Sequence, residues 1–342
     1  MIHFVTTGAH AYCMEAFLQA GGKPLRDKLK IVWYEDLCAR RRLDPGCYIL
    51  SDIERLSDAQ RLQLAITADR LRDAGMPVLN HPDRLVRRYD LLHKLHDRGI
   101  NPFRAKRLDE NLEDLRFPVF LRIENNHSGP ITPLIQDQTA LRETIRTLHR
   151  RFDRSQVLVI EYCDTSDAEG LFRKYSAMIV GGWIQARHVL FARDWCIKFN
   201  VPLTPEHIAE ERRYQLGNPH EAALREIFDL AGYDFGRIDY AMLGGRPVVW
   251  EINSNPTLAS RRPPPRGRRE GLLESARQLV ARLAELADQP TPPGITIAPH
   301  HRREGILGIV GEAGLLLRRL QADPADGSLL APWRRVAMRL MP

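Results

Sequence analysis

The segment from Gly236 to Pro256 constrains the fold more than any other part of this 342-residue chain. Two strand-like runs flank Gly244 and Gly245, and glycines placed between such runs favour a tight reversal of the backbone. The segment therefore predicts a β-hairpin. Each arm of this hairpin carries an acidic residue, Asp239 in the first and Glu251 in the second.

Two polar residues interrupt the apolar second arm of the hairpin. Glu251 and Asn253 are two positions apart, and side chains at that spacing leave the same face of a strand. Mg²⁺ is a hard cation that takes oxygen ligands, and both of these side chains can supply one. A magnesium site would explain the pair, and an exposed hairpin face with solvated polar side chains is the alternative.

The length of the turn decides whether the two acids meet. If residues 244–246 form a three-residue connection, Leu243 pairs with Pro247 and Asp239 lies opposite Glu251. A two-residue turn made of the two glycines alone would separate the acids.

The first 83 residues alternate between apolar runs and helical spacings of apolar residues. This alternation predicts a small α/β layer, with a domain boundary near residue 83. The expected strands lie in 1–8, 30–34, 47–51 and 75–82, and the expected helices end near Ala20 and span Ala59 to Ala74.

Residues 84–260 show a mixed pattern of helices and antiparallel strands. Gly99 is a plausible C-terminal cap for the first helix, which begins near Arg84. Further strands are expected over 117–123, 157–160, 177–180, 183–187 and 188–191, with tight turns between the last three, and helices over 139–152 and 221–231.

The remaining residues form a basic tail. The chain has a net charge of +7, and residues 256–342 contain 14 arginines, no lysine and eight acidic residues. Three consecutive prolines at 263–265 exclude a regular helix, so this stretch is a linker or an edge. Beyond the linker, the pattern from Glu270 to Ala287 predicts an amphipathic helix whose apolar side packs on another part of the protein. Residues 305–320 are a second helical candidate.

The charge distribution limits the partners of the protein. A nearly neutral core argues against nucleic-acid binding by that core, whereas the tail could contact an acidic partner or an anionic membrane surface. A solvated, partly ordered tail is equally compatible with the composition. No apolar run approaches the roughly 20 residues that a membrane span needs.

The cysteines indicate a reducing compartment. The five cysteines show no Cys-x-x-Cys spacing, and their odd number argues against a full disulfide framework. Because the first residues also lack a signal-peptide pattern, a cytoplasmic location is expected.

Asp239, Glu251 and Asn253, followed by Ser254-Asn-Pro, resemble the metal motif of the ATP-grasp superfamily, particularly its ribosomal-S6-modifying and glutamate-ligase-like members. The order of elements over residues 1–260 is similar as well. The resemblance implies an α/β and α+β fold, with an N-terminal α/β pre-ATP-grasp domain (1–83), a two-subdomain ATP-grasp domain (84–260) and a helical basic tail (261–342). It also implies that ATP is the cofactor, with Mg²⁺ or Mn²⁺ held by these three residues.

The stretch Val157-Leu-Val-Ile-Glu-Tyr-Cys-Asp is similar to the superfamily's hinge, which holds adenine and ribose. The resemblance assigns Glu161, Tyr162, Cys163 and Asp164 to that role. Main-chain groups would read the adenine edge, and a carboxylate would accept from the ribose hydroxyls. For Asp164, a turn-forming aspartate is the alternative.

The superfamily uses two lysines for phosphate contacts, and this chain has Arg88 and Arg122 in their places. Arginine keeps the charge and adds a bidentate fork, so phosphate binding is still expected. Ser128 lies in the loop 126–129, which would cover the phosphates. Surface ion pairs are the alternative role for both arginines.

Two further basic residues, Lys174 and Arg187, resemble those near the γ-phosphate and the acyl phosphate in the superfamily. Either could stabilise charge that develops during phosphoryl transfer. Solvated side chains on strands are the alternative.

The resemblance implies ATP-dependent ligation of a small-molecule or peptide carboxylate to an amine through an acyl phosphate. Two alternatives stay open: a nucleotide-binding sensor or scaffold without ligase turnover, and an ATP-grasp kinase. The substitution of arginine for lysine at positions 88 and 122 motivates the first of these.

Overall fold

The structure is a computed structural model that describes residues 1–40, 42–127, 129–150, 152–197, 201–259 and 266–296, without the side chains of residues 38, 39 and 266. The helices in these ranges are α1 (Tyr12–Gln19), α2 (Tyr34–Ala39), α3 (Asp58–Asp73), α4 (Arg88–Asp97), α5 (Gln138–Thr147), α6 (Pro205–Gly217), α7 (Glu221–Ala231) and α8 (Arg269–Asp288). The strands are β1 (Ile2–Thr6), β2 (Leu29–Trp33), β3 (Arg42–Leu43), β4 (Cys47–Leu50), β5 (Val78–Leu79), β6 (Ala105–Arg107), β7 (Val119–Ile123), β8 (Val157–Glu161), β9 (Phe172–Val180), β10 (Trp183–Ala192), β11 (Phe235–Leu243), β12 (Arg246–Asn253) and β13 (Ile295–Thr296).

The amino-terminal part forms a parallel sheet with the strand order β2-β1-β4-β5. Residues of β1 and β4 are almost completely buried, as expected for strands of a parallel sheet covered on both faces. Helix α3 begins at a capping box, in which Ser57 accepts from the Gln60 backbone N–H and Gln60 accepts from Ser57. The predicted α/β layer is confirmed.

Two antiparallel sheets follow. The smaller has the order β6-β8-β7, and the larger has the order β10-β9-β11-β12. Parallel and antiparallel sheets therefore share one chain, which confirms the mixed α/β and α+β fold class.

The last strands before α6 differ from the prediction. Residues 183–187 and 188–191 were expected to form two strands joined by a tight turn, and that expectation is wrong. Both runs belong to β10, where Ala186 pairs with Ala177 and His188 pairs with Ser176. Arg187 is the extra residue of a β-bulge, which shifts the alternation of side chains without ending the strand.

The β11–β12 hairpin also turns differently. Leu243 pairs with Arg246, so Gly244 and Gly245 alone form the turn, and the three-residue connection does not form. Both glycines have positive φ, 56° and 79°, as the two-residue hairpin turn of type I′ requires. Along the same hairpin, Asp239 pairs with Glu251 and Tyr240 with Val249. The bulge at Trp250 therefore restores the alignment that the shorter turn would have lost.

Asn80 fixes the parallel sheet against the larger antiparallel sheet. This buried residue has a left-handed backbone (φ 65°), and its side-chain amide donates to Leu50 O at 3.0 Å and to Phe235 O at 2.7 Å. Its carbonyl oxygen accepts from the backbone N–H groups of Asp234 and Phe235, at 2.9 Å each. A single side chain thus satisfies main-chain groups of both sheets.

Helix α8 packs on the body of the protein. Leu279, Leu283 and Leu286 are buried in a cluster with Met178 and Val180 of β9 and with residues of β1 and α1. Ala276 and Leu272 are partly buried, and Leu273 is 47% exposed. The predicted amphipathic helix is confirmed within one residue at each end, and its position shows that residues 269–288 belong to the packed structure.

After α8 the chain returns to the amino-terminal part, where β13 pairs with β3 through Ile295 and Leu43. The predicted Pro-rich linker falls largely on residues 260–265, and the second helical candidate, 305–320, lies entirely beyond Thr296; both lie outside the described residues. Of the helices that the structure describes, none is long and apolar enough to cross a lipid bilayer.

Candidate active site

Glu251 lies where the two antiparallel sheets meet. Arg122, on β7 of the smaller sheet, donates from Nη2 to Glu251 Oε2 over 2.8 Å. Arg88, the first residue of α4, donates from Nη2 to the same oxygen. Both arginines are buried, with 5% and 7% of their surface exposed. Side chains from two other elements, β7 and α4, therefore converge on this carboxylate of β12.

Arg88 also fixes the turn after β7. Its Nη1 donates to the carbonyl oxygens of Ile123 at 3.0 Å and Asn126 at 2.9 Å, and to that of Glu124. The Arg88 guanidinium thus binds two partners. Its Nη1 holds the loop that is expected to cover the phosphates, and its Nη2 holds Glu251. Ser128, the loop residue expected to bind phosphate, lies outside the described residues.

A histidine connects Glu251 to the amino-terminal part. His127 Nδ1 lies 3.5 Å from Glu251 Oε2, and its Nε2 lies 3.2 Å from Glu54 Oε1. Ser254 Oγ, directly after β12, donates to Glu54 Oε2 at 2.5 Å. Glu54 had no sequence signal, because its partners are 73 and 200 positions away along the chain.

The charges of this network balance each other. Burial would raise the pKa of Glu251, but the neighbouring Arg88 and Arg122, with His127, lower that pKa well below its ordinary value. Burial likewise opposes ionisation of Glu54, yet its contacts with His127 and Ser254 lower its pKa to about 2. Burial and the charge of Arg122 lower the pKa of Arg88 to about 10, so it stays charged at neutral pH.

Asp239 is surrounded by cations on the large sheet. Lys174 Nζ lies 3.3 Å from Asp239 Oδ2, Arg237 Nε lies 3.3 Å from Oδ1, and Ser176 Oγ donates to Oδ1 at 3.1 Å. Burial would raise the pKa of Asp239, but Arg237 and Lys174 lower it below its ordinary value. Lys174 and Asp239, both predicted from the sequence as site residues, are thus neighbours. Arg237 also contacts Asp239, and the sequence analysis did not predict it.

Strand register places a row of polar side chains across the large sheet. His188 pairs with Ser176, Ser176 with Asp239, and Asp239 with Glu251, so one residue from each of the four strands lies in the row. Paired residues of antiparallel strands point to the same face. Burial and the charge of Arg237 lower the pKa of His188 to about 3, so this imidazole is neutral.

Asn253 follows Glu251 on the same face of β12. Its Oδ1 accepts from the Asn255 backbone N–H at 2.8 Å, which shapes the turn after the strand. The Asn255 side chain then reaches the amino-terminal part, where its Nδ2 donates to Thr6 Oγ1 at 3.1 Å and Asp52 Oδ2 at 3.0 Å. The end of β12 is therefore held firmly against the parallel sheet.

The four residues assigned to the hinge follow β8 but have different environments. Glu161 is buried and accepts from both guanidinium groups of Arg104 and Arg116. Tyr162 N donates to Pro118 O at 2.9 Å, and Asp164 Oδ1 accepts from the Ser166 N–H at 2.9 Å, as in an Asx turn. Cys163 is partly buried in the small apolar cluster that includes Phe120 and Trp195.

Arg187 leaves the bulge of β10 toward α8. Its Nη1 donates to Gln185 Oε1 at 3.0 Å and to Ser275 O and Oγ at 2.8 Å each. Burial and the nearby charge of Arg237 lower its pKa to about 10. Arg187 therefore remains a cation at neutral pH.

The chemistry of the donors suits Mg²⁺ or Mn²⁺. Asp239, Glu251 and Asn253 supply only oxygen, and register puts all three on one face of one hairpin. No group of three or more His, Cys, Asp or Glu side chains arranged for a metal occurs within the part of the chain that the structure describes. The protein ligands that this hairpin could offer a metal would be the Asp239 and Glu251 carboxylates and the Asn253 amide oxygen.

The architecture around this site can be compared with solved structures. The VanG D-Ala:D-Ser ligase from Enterococcus faecalis aligns with 84% of this chain over 98% of its own length, at 16% identity and a TM-score of 0.50. D-alanine–D-alanine ligase from Bacillus anthracis, solved with ATP, aligns with 82% of this chain over 98% of its own, at 16% identity and a TM-score of 0.46. A RimK-domain ATP-grasp protein from Sphaerobacter thermophilus aligns with 83% of this chain over all of its own, at 14% identity and a TM-score of 0.44.

A likeness at such low identity defines a fold, and the alignment with the VanG ligase carries this assignment. The chain has the ATP-grasp fold. No family model matches the chain, and no curated protein matches it significantly.

Proposed function

We propose that the protein is an ATP- and metal-dependent ligase that joins a carboxylate to an amine. One observation carries the proposal: Arg88 and Arg122 from one side and Lys174 from the other converge on the two acids of the β11–β12 hairpin, Glu251 and Asp239. Cations beside paired carboxylates suit a triphosphate and its metal ion.

Each residue of the site has a role in this proposal. Arg88 and Arg122 bind phosphate oxygens, and their shared carboxylate, Glu251, turns toward a metal ion together with Asp239 and Asn253. When bound, Mg²⁺ or Mn²⁺ shields the negative charge of the phosphates. Main-chain groups of 161–164 receive adenine, since the Glu161 carboxylate is already committed to Arg104 and Arg116.

The proposed reaction has two steps. A substrate carboxylate oxygen attacks the γ-phosphorus of ATP. ADP leaves with the electrons of the broken P–O bond, and the carboxylate becomes an acyl phosphate. The amine nitrogen then attacks the carbonyl carbon, loses a proton, and expels phosphate with the electrons of the C–O bond. Lys174 and Arg187 stabilise the charge that develops on the transferred group. No covalent nucleophile on the protein is required.

A second candidate is ATP binding without turnover. Its support is the direct pairing of Glu251 with both arginines, which satisfies the carboxylate and the cations without a ligand. A nucleotide that separates these pairs would change the contact between the two sheets, which is the behaviour of a sensor.

The test is ADP release by the full chain with ATP, Mg²⁺ and a panel of amino-acid carboxylates, each with and without an amine acceptor. The ligase proposal expects release that requires both substrates and falls at least a hundredfold in Asp239→Asn. The control variant Asp109→Asn, at an acidic residue that the site does not use, should retain activity. ATP binding without release would support the sensor, and release with a hydroxyl acceptor and no amine would indicate a kinase.

A further inference from the structure

The bulged strand β10 lies at the edge of the large sheet, since β9 is its only neighbour in the sheet order. An edge strand leaves alternate main-chain groups without a ladder partner. At Val189 these groups are satisfied by a buried ion pair: Val189 N donates to Glu211 Oε1 at 3.1 Å, and Arg268 Nη2 donates to Val189 O at 3.4 Å.

This ion pair joins α6 to the segment that leads into α8. Arg268 Nε donates to Glu211 Oε2 at 2.5 Å, and the two side chains are only 8% and 3% exposed. The edge of β10 is thus covered by residues that follow the β11–β12 hairpin in sequence. The bulge residue Arg187 lies two positions before Val189, and it is held by Ser275 of α8.

Among the residues that the structure describes, every acceptor of Arg187 is neutral. The guanidinium reaches one side-chain amide oxygen, at Gln185, and two oxygens of Ser275. In the described part of the chain, no carboxylate forms an ion pair with it. A partly buried cation held only by neutral oxygens keeps its charge uncompensated, which is costly unless a mobile anion binds.

The neighbouring charges increase this excess. Arg237 lies close enough that its charge affects Arg187, and Asp239 is already shared between Arg237 and Lys174. The Asp239 carboxylate is therefore already paired with two cations other than Arg187. Arg88 and Arg122 differ from Arg187 in this respect, because each of them forms an ion pair with Glu251.

We propose that Ser275 is a positioning residue of the active site: α8 holds Arg187 through neutral oxygens, so that its charge stays available for the anionic group of the substrate. This inference rests on the proposed function for the identity of that anion, a carboxylate or the phosphate of an acyl phosphate. It extends the site to a helix that lies outside the metal hairpin and the hinge. The neutral character of position 275 is the feature that matters, since a carboxylate there would occupy the guanidinium permanently.

The test places a charge at that position. Ser275→Asp supplies a competing carboxylate, and Ser275→Asn is the matched control because its side chain has nearly the same shape without the charge. Binding of inorganic phosphate to the full chain is measured by calorimetry, and melting temperature is measured in phosphate-free buffer. Ser275→Asp should bind phosphate at least tenfold more weakly than Ser275→Asn, from which it differs by the charge alone. Ser275→Asp should melt no lower than Ser275→Asn, since its carboxylate pairs with Arg187.

Equal phosphate affinity in the two variants, or no phosphate binding by wild type, would overturn the inference. If Ser275→Asp does not fold, Gln185→Glu places a carboxylate on Arg187 from the strand side, with the same expected loss of phosphate binding. Failure of the proposed function looks different. If a charge at position 275 weakens phosphate binding but the protein releases no ADP, the role of Ser275 stands and the ligase proposal fails. If the protein releases ADP but a charge at position 275 leaves phosphate binding unchanged, the ligase proposal stands and the role of Ser275 fails.

Discussion

Arg122 and Glu251 lie on different antiparallel sheets, yet Arg122 Nη2 donates to Glu251 Oε2 over 2.8 Å. The contact joins the smaller sheet to the larger one, and Arg88 reinforces it from the start of α4. Glu251 therefore has two roles in the proposal that compete with each other. It is the counter-ion of two buried arginines, and it is a metal ligand once a triphosphate occupies them.

Replacing Glu251 should destabilise the protein. Glu251→Gln leaves Arg88 and Arg122 buried without a counter-ion, and breaking a buried pair in this way costs about 3 to 5 kcal/mol. Chemical denaturation measures the change in the free energy of unfolding. The control is Glu113→Gln, at an exposed glutamate paired with Arg142, which should cost less than about 1 kcal/mol. Equal losses in both variants would mean that Glu251 is not the electrostatic centre of this contact.

Arg122 should determine affinity for ATP through its forked guanidinium. Arg122→Lys retains a positive charge but loses the planar pair of donors, so we expect the Michaelis constant for ATP to rise about tenfold or more. The matched control is Arg142→Lys, on the exposed face of α5, which should leave that constant unchanged. An unaltered constant in Arg122→Lys would remove Arg122 from the phosphate site.

Glu161 should make stability depend on acidic pH. Burial would raise its pKa, but its contacts with Arg104 and Arg116 lower it below the ordinary value of 4.5. A lowered folded-state pKa contributes stability that is complete above about pH 4.5 and is lost as the pH falls through the folded-state value. Glu161→Gln should therefore lower stability at pH 7 by about 2 kcal/mol and flatten its dependence on pH below 4.5. Unfolding curves between pH 3 and 7 measure both effects, and an unchanged slope in the variant would contradict the assignment.

Helix α8 should contribute to global stability. Leu283 is fully buried, so Leu283→Ala should cost about 2 to 5 kcal/mol, because both burial and packing are lost. On the same helix Leu273 is 47% exposed, and Leu273→Ala should cost less than about 1 kcal/mol. Thermal and chemical unfolding of the two variants provide the comparison. Similar small effects would show that α8 does not hold the body together.

Local patterns in the sequence predicted much of this fold. The apolar runs that became β1, β4 and β8 are continuous because those strands are buried on both faces. The amphipathic pattern of residues 270–287 predicted α8 closely. By contrast, α6 was not predicted, although Thr204 and His207 form a capping box at its start, because its apolar residues lack a clear helical period.

Features set by contacts between distant segments could not be predicted. The bulges at Arg187 and Trp250 depend on what lies against each strand, and no local residue pattern marked them. The pairing of Asp239 with Glu251 was expected for the wrong reason, since a shorter turn and a bulge together gave the same register. Glu54 and Ser275 entered the site through contacts across the fold, which one sequence read along its length does not reveal.

The pairing of β3 with β13 has a consequence for biosynthesis. Leu43 is synthesised before β4 to β12 and α8, and its partner Ile295 is synthesised after them, so this ladder closes only once all of these elements have been made. Closing a loop of that length lowers the chain's entropy before the contact adds any stability. Strand β3 therefore stays without this partner until a segment that follows the β11–β12 hairpin and α8 has been synthesised.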